Sequence, residues 1–210
     1  MTRADADVAG ALLGFGAATV GESGGRPMRN RVAAVWPGAV VAAPAYAVRC
    51  TPGDNLAIHV AVTRAPAGAA LVVEVGDVRE LGYWGEVLTT AAEARGLAGL
   101  VIDGCVRDVA ALAAHGFPVF STGRALPGAT KTRAGVVGGT AVVGDVEVAT
   151  GDWVVGDGDG VVVVPRGALD DVLAAARTRA DGEAAYFSAL RDGETTVALL
   201  GLDPSPVEGG

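Results

Sequence analysis

Two short segments of this 210-residue chain carry side chains that could do chemistry. The first is Asp103-Gly104-Cys105-Val106-Arg107-Asp108, which follows an apolar strand and opens a helix. In open α/β sheets, ligands bind beyond the carboxyl ends of strands, beside helix N-termini. Here that position offers an arginine and the carboxylates of Asp103 and Asp108. A guanidinium fork can grip a substrate oxygen, and a neighbouring carboxylate can hold Mg²⁺ or Mn²⁺ with waters completing the shell. The plainer alternative is that Asp108 caps its helix and Arg107 pairs with a surface acid. The second segment, Trp84-Gly85-Glu86-Val87-Leu88-Thr89, also opens a helix, after the strand Ala70–Val75 and a loop. The amides of Val87 and Leu88 lie in a first turn, where N–H groups lack helical partners, and can hold a carboxylate. The plainer alternative there is an acidic first turn, with Glu86 complementing the helix dipole.

Other signatures are excluded or weak. Gly156-x-Gly158-x-Gly160 is no dinucleotide loop, because Val161–Val164 after it reads as strand and not helix. The chain has no GxxxxGK[ST] loop and no GxSxG elbow. His59 and His115 have no metal-ligand spacing; His115 suits a helix C-terminus, and His59 reads as packing or as support for a site. Cys50 and Cys105 form neither a metal motif nor a disulfide framework, so a reducing cytoplasm is expected. A net charge of −8 argues against non-specific nucleic-acid binding. The charged residues between Met1 and Asp7 argue against a signal peptide. The apolar run Val32–Val48 is interrupted by Pro37, Gly38 and Pro44, so no membrane span is expected.

The elements that must position these residues follow from periodicity and turn residues. Val8–Phe15 and Ala18–Glu22 read as helices separated by glycine, and Val40–Ala43 and Ala45–Cys50 as short strands around Pro44. Asp54 is placed to cap a helix over Asn55–Arg64. The strand Ala70–Val75, helix Gly85–Arg95, strand Leu100–Ile102, helix Val106–His115 and strand Val119–Ser121 then form βαβ units with a largely parallel sheet. From Gly135 to Val164 five short Val-rich strands with Gly/Asp turns predict a second sheet. A long helix over Gly167–Arg191, broken at Gly182, closes a single domain spanning 1–210, with 1–7 and 203–210 expected to be loose.

Taken together the motifs resemble a known family. Gly85-Glu86-Val87-Leu88, Arg95-Gly96, Val101-Ile102-Asp103-Gly104, Val106-Arg107-Asp108 and Gly116-Phe117-Pro118-Val119-Phe120 look like the RraA-like class II pyruvate aldolases. Those act on 4-hydroxy-4-methyl-2-oxoglutarate and 4-carboxy-4-hydroxy-2-oxoadipate. The run from Gly151-Asp152 to Val164-Pro165 matches the family's C-terminal strands, and Pro52-Gly53-Asp54-Asn55 and Ala18-Thr19-Val20-x-Glu22 resemble its N-terminal half, so the likeness spans residues 12 to 190. It implies an α/β fold, a three-layer β/β/α sandwich of the swivelling-domain type with N- and C-terminal helices. It implies cleavage of a 4-hydroxy-2-oxoacid to pyruvate and a second 2-oxoacid through a pyruvate enolate, with oxaloacetate decarboxylation as a side activity. Asp108 would hold a divalent metal, Mg²⁺ or Mn²⁺. Arg107 would bind the 2-oxo oxygen and stabilise the enolate, and the amides of Val87 and Leu88 would hold the carboxylate. Glu86 would stand where the family has an acid that orients metal-bound water. Glu22 and Glu183 would come from a neighbouring subunit of a homotrimer or hexamer, and Lys131, the chain's lone lysine, would stand behind the substrate contacts. The family also contains non-catalytic regulators of a ribonuclease, which resemble this chain around Arg107 but lack the following aspartate; another 2-oxoacid lyase or decarboxylase of secondary metabolism is a further alternative. Tyr83 and Trp84 sit beside the expected pocket and read as packing, or else as determinants of the far end of the substrate. Trp36 and Trp153 read as core or interface.

Overall fold

The computed structural model describes residues 3–207. Of the two termini expected to be loose, residues 1–2 and 208–210 lie outside the described ones; Arg3–Asp7 already belong to the first helix, and 203–207 are exposed. The elements run α1 (Arg3–Glu22), β1 (Arg26–Pro27), β2 (Ala33–Ala34), β3 (Val41–Arg49), α2 (Leu56–Arg64), β4 (Ala70–Glu74), α3 (Glu86–Ala94), β5 (Gly99–Val106), α4 (Val109–His115) and β6 (Val119–Arg124). There follow β7 (Val136–Val137), β8 (Thr140–Val143), β9 (Val146–Ala149), β10 (Trp153–Asp157), β11 (Gly160–Val164), a 3₁₀ turn at Arg166–Ala168, α5 (Leu169–Arg191) and α6 (Thr196–Leu199). Among the described residues no helix is long and apolar enough to cross a membrane.

The sheet is mixed. Strands β3, β4, β5 and β6 run parallel, as the alternation of strand and helix predicts. The later strands do not form the separate sheet expected of them: β10 and β11 extend the same sheet antiparallel from β3, in the order β1-β11-β10-β3-β4-β5-β6-β2, and only β8 and β9 stand apart as a hairpin. Strand β3 makes this possible by changing partners along its length. Val41–Pro44 pair with β10, and Ala45–Arg49 pair with β4. The expected interruption at Pro44 therefore does not occur. The Ala45 N–H donates to Asp152 O on the β10 side. Successive backbone N–H groups alternate in direction, so the donor that proline lacks would point to the other edge, where β4 has not yet begun at Ala70.

Apolar strands with period-two burial supply cores to both faces. Leu71, Val73, Leu100 and Ile102 face α2, α3 and α4, packing with Ile58, Trp84 and Leu112. Val72 and Val101 face the other way, with Phe120, Val143 and Val148 beneath the β8–β9 hairpin. Burial on both faces explains why these strands read as continuous apolar runs. A third cluster seats α1 and the first turns of α5 on β10 and β11 through Leu12, Val20, Trp153, Val164 and Val172. Helix α1 carries the expected glycine break as a kink. Gly16 adopts φ 79° and ψ 162°, and the Ala17 N–H it frees donates to the Asp157 carboxylate at 2.7 Å. Helix α5, in contrast, runs unbroken through Gly182, since one glycine costs a helix only about 1 kcal/mol.

Candidate active site

Strand β5 runs further than the sequence suggests, through Asp103-Gly104 to Val106, with an irregularity between Ile102 and Cys105. At its end the backbone is held from both sides. The Arg107 N–H donates to Trp84 O at 2.9 Å, and Val106 O accepts from the Ala125 N–H at 3.0 Å. Asp108 follows at the N-cap position of α4 in the left-handed conformation, φ 58° and ψ 34°, which costs a residue with a Cβ about 1 kcal/mol or more. Its side chain makes no capping bond to its own helix. Instead Oδ2 accepts from the Glu86 N–H of α3 at 3.1 Å and lies 3.7 Å from Arg107 Nε. Asp108 does not cap its own helix as the plainer alternative has it: the carboxylate crosses to the other segment and joins the two, while Glu86 does stand in the first turn of α3. Gly85 makes the crossing possible, because a Cβ there would lie 2.3 Å from Asp108 Oδ2.

These residues edge a cavity of about 210 Å³ whose wall includes Val87, Leu88, Arg107, Asp108 and Lys131. Among the described residues, no acceptor takes the amides of Val87 and Leu88. Such first-turn donors, with the positive end of the helix behind them, suit a carboxylate. Lys131 is exposed, with Nζ 3.4 Å from Ala129 O. Asp108 is a single carboxylate, 41% exposed. No group of three or more His, Cys, Asp or Glu capable of holding a metal occurs among the described residues. This donor set does not fit a closed zinc site. It fits a hard cation that binds through one carboxylate and keeps other positions for water and substrate.

Other expected site residues stand off the cavity wall in this single chain. The Glu86 carboxylate is exposed and lies 3.7 Å from His115 Nε2. Glu22 and Glu183 are brought together by Arg179, which contacts the Glu22 carboxylate and lies 2.9 Å from Glu183 Oε1. Asp103, the second carboxylate of the first segment, does not face the cavity. It is buried on Arg31 at 3.1 and 2.9 Å and on Arg79 at 3.0 Å; burial alone would raise its pKa, but the bonds from Arg31 and the Gly144 N–H and the charges of Arg31 and Arg79 together outweigh it and lower it. Tyr83 and Trp84 are core residues that also back the cavity. The Tyr83 hydroxyl donates to Val78 O and accepts from the Gly53 N–H, while Trp84 donates to Thr89 Oγ1 at 2.7 Å and stacks on Phe117. Their packing reading holds. Trp153 is buried in the third cluster and Trp36 is half-buried against the core.

The structure adds a corner whose two residues have no substrate contact in the motif reading. Asn55, 4% exposed, and His59 lie one turn apart at the start of α2, and both line the cavity. Asn55 Nδ2 donates to Tyr83 O at 2.8 Å. Its Oδ1, like His59 Nε2, is buried without a partner among the described residues. Burial first, and the Lys131 charge second, lower the His59 pKa. Beneath them Asp54 accepts from Leu56 N, Thr130 Oγ1, Thr132 N and Arg133 N. Burial alone would raise the Asp54 pKa; these four bonds bring it down to about 2.

Known proteins resemble the chain in both sequence and shape. The RraA-like family, described as Aldolase/RraA, matches residues 5–163. A relative from Halalkalibacterium halodurans, which carries the provisional name 4-hydroxy-4-methyl-2-oxoglutarate aldolase, is 36% identical over 145 residues, 69% of each chain. A crystal structure of an uncharacterized protein from Pseudomonas syringae pv. tomato superposes with a TM-score of 0.81 at 25% identity, covering 92% of this chain and 96% of that one. Streptomyces coelicolor RraAS2, described as an unusual member of the RNase ES inhibitor RraA protein family, superposes with a TM-score of 0.76 at 26% identity, covering 90% and 98%.

Proposed function

Because the chain belongs to the RraA-like family, we propose that it is a divalent-metal-dependent carbon–carbon lyase. It cleaves a 4-hydroxy-2-oxoacid to pyruvate and a second 2-oxoacid, and decarboxylates oxaloacetate as a side reaction. One observation carries this reading: the Asp108 carboxylate crosses to the α3 N-terminus and so sets Arg107 and the free amides of Val87 and Leu88 around one cavity.

The amides of Val87 and Leu88 hold the substrate carboxylate, which orients the 2-oxo group toward Arg107. A cation on Asp108, Mg²⁺ or Mn²⁺, supplies Lewis acidity to the 2-oxoacid when bound. The C4 hydroxyl loses its proton, the C3–C4 bond breaks, and its electron pair becomes the pyruvate enolate, whose oxygen faces the Arg107 guanidinium. Protonation at C3 completes pyruvate. Loss of CO₂ from oxaloacetate reaches the same enolate. Lys131 at the rim attracts the acidic substrate. Glu86 beside the Asp108 contact moves the proton, aided by Glu22 and Glu183 of an adjacent copy in a homotrimer or hexamer.

Asp108 also separates this reading from that of a protein-binding ribonuclease regulator, which needs no carboxylate beside Arg107. The test is pyruvate release from oxaloacetate and from 4-hydroxy-4-methyl-2-oxoglutarate, with Mg²⁺ and with a chelator. Both reactions are expected to require the metal and to be lost in Asp108→Ala. Activity that survives chelation and that substitution overturns the metal route, and no activity on any 2-oxoacid overturns the lyase. A fully active monomer in a sizing experiment removes Glu22 and Glu183 from the mechanism.

A further inference from the structure

We propose that Asn55 and His59 form a hydroxyl-recognition corner, which holds the C4 hydroxyl of the substrate and so selects hydroxylated 2-oxoacids over their deoxy counterparts. The placement of that hydroxyl on a 2-oxoacid rests on the lyase reading above. The corner itself rests on two buried polar atoms without partners, Asn55 Oδ1 and His59 Nε2, on side chains that line the same cavity as Arg107 and Asp108. A buried acceptor left unmatched is unfavourable, so a group that fills the cavity and gives it a proton is favoured.

The chemistry of the corner narrows that group. Asn55 cannot flip its amide to suit an anion, because Nδ2 is committed to Tyr83 O at 2.8 Å; Oδ1 therefore accepts only. A carboxylate has no proton to give it. An ammonium is opposed by Lys131 on the same wall. Burial and the Lys131 charge disfavour the His59 imidazolium, and in the Nε2–H tautomer of the neutral ring the free nitrogen donates to an oxygen without adding charge. A hydroxyl satisfies both at once: it donates to Asn55 Oδ1 and accepts from His59. For cleavage the hydroxyl turns its proton from Asn55 Oδ1 to the acid that moves it, Glu86 in the reading above; the C4 oxygen then becomes the carbonyl of the leaving half, keeps the bond from His59, and the proton returns at C3 of the enolate. The two residues act as positioning groups for the oxygen at which the C3–C4 bond is released.

The test uses a pair of acids that differ only at this atom, 4-hydroxy-2-oxoglutarate and 2-oxoglutarate. Binding is measured by calorimetry on Asp108→Ala protein, and on the same protein carrying Asn55→Leu, His59→Leu or His59→Gln. The hydroxylated acid is expected to bind about tenfold tighter, the worth of one buried hydrogen bond. Both leucine variants should erase that preference, and His59→Gln, which keeps an N–H, should restore part of it. In protein with Asp108 intact, the same leucine substitutions should lower kcat/KM for aldol cleavage relative to oxaloacetate decarboxylation by about tenfold, since oxaloacetate has no C4 hydroxyl. Equal or absent binding of the two acids overturns the corner, as does a ratio of the two reactions that stays constant while both fall. If Asn55→Leu does not fold, having left Tyr83 O without its donor, the His59 variants decide. A hydroxyl preference without turnover in Asp108-intact protein supports the corner and overturns the lyase reading; turnover without the preference does the reverse.

Discussion

At Asp108 a left-handed backbone, a carboxylate reaching to the next helix and a missing Cβ at Gly85 depend on one another. Adding a methyl in Gly85→Ala pushes against the mobile end of the Asp108 side chain, 2.3 Å away, and against Arg107 Cγ at 3.1 Å. The backbone at Gly85 is extended, φ −164°, so alanine adds no conformational strain. Gly85→Ala should therefore melt within a few degrees of the parent while metal-stimulated pyruvate release falls about a hundredfold, the cost of misplacing a group by about 1 Å. Arg107→Lys keeps the charge and loses the planar fork; kcat should fall about 10²- to 10³-fold with a smaller change in KM. The sequence disclosed Arg107, Asp108, Val87 and Leu88 because each lies in a short motif at a strand end or helix start. Asn55 was hidden because Asp54 before it takes the cap reading, which leaves Asn55 as the first residue of a helix. What distinguishes it is a bond to Tyr83 O, 28 residues on. His59 was hidden by lying inside an amphipathic helix, although its spacing of four from Asn55 puts both on one face.

Among the elements, α5 offers the clearest measurement. Gly182 lies exposed in its interior, and a Cβ there would touch nothing within 4 Å. Gly182→Ala should raise stability by about 0.5–1 kcal/mol in a denaturant titration. Gly16→Ala should do the opposite by about 1 kcal/mol or more, because φ is 79° there and the new methyl crowds the Asp157 carboxylate that holds the Ala17 N–H. The two glycines explain why helix breaks were only half legible: composition marks a glycine, but the φ it adopts is set by a distant partner, Asp157 in one case and none in the other. The same holds for strands. Val136–Val164 revealed its short strands through valine and Gly/Asp turns, yet the membership of β10 and β11 in the main sheet depends on β3 changing partners at Pro44, which no local pattern records.

For the whole molecule, acid is the informative variable. The Asp54 carboxyl titrates at about 2 in the folded chain, below its ordinary value near about 3.9, and Asp103 is also lowered. A depressed carboxyl contributes stability that is fully present above the unfolded value and is lost as pH falls through the folded one. The urea midpoint should hold steady above about pH 5 and fall between about pH 4 and pH 2. Asp54→Asn should lower the midpoint at neutral pH and flatten that fall. The position of Asp54 has a second consequence. One carboxylate fastens both the start of α2, which carries Asn55 and His59, and the chain at Thr130–Arg133, which carries Lys131. Two walls pinned to the same post cannot drift apart separately. The cavity therefore has a set gauge on that side: the wall that carries Asn55 and His59 and the wall that carries Lys131 move together or not at all.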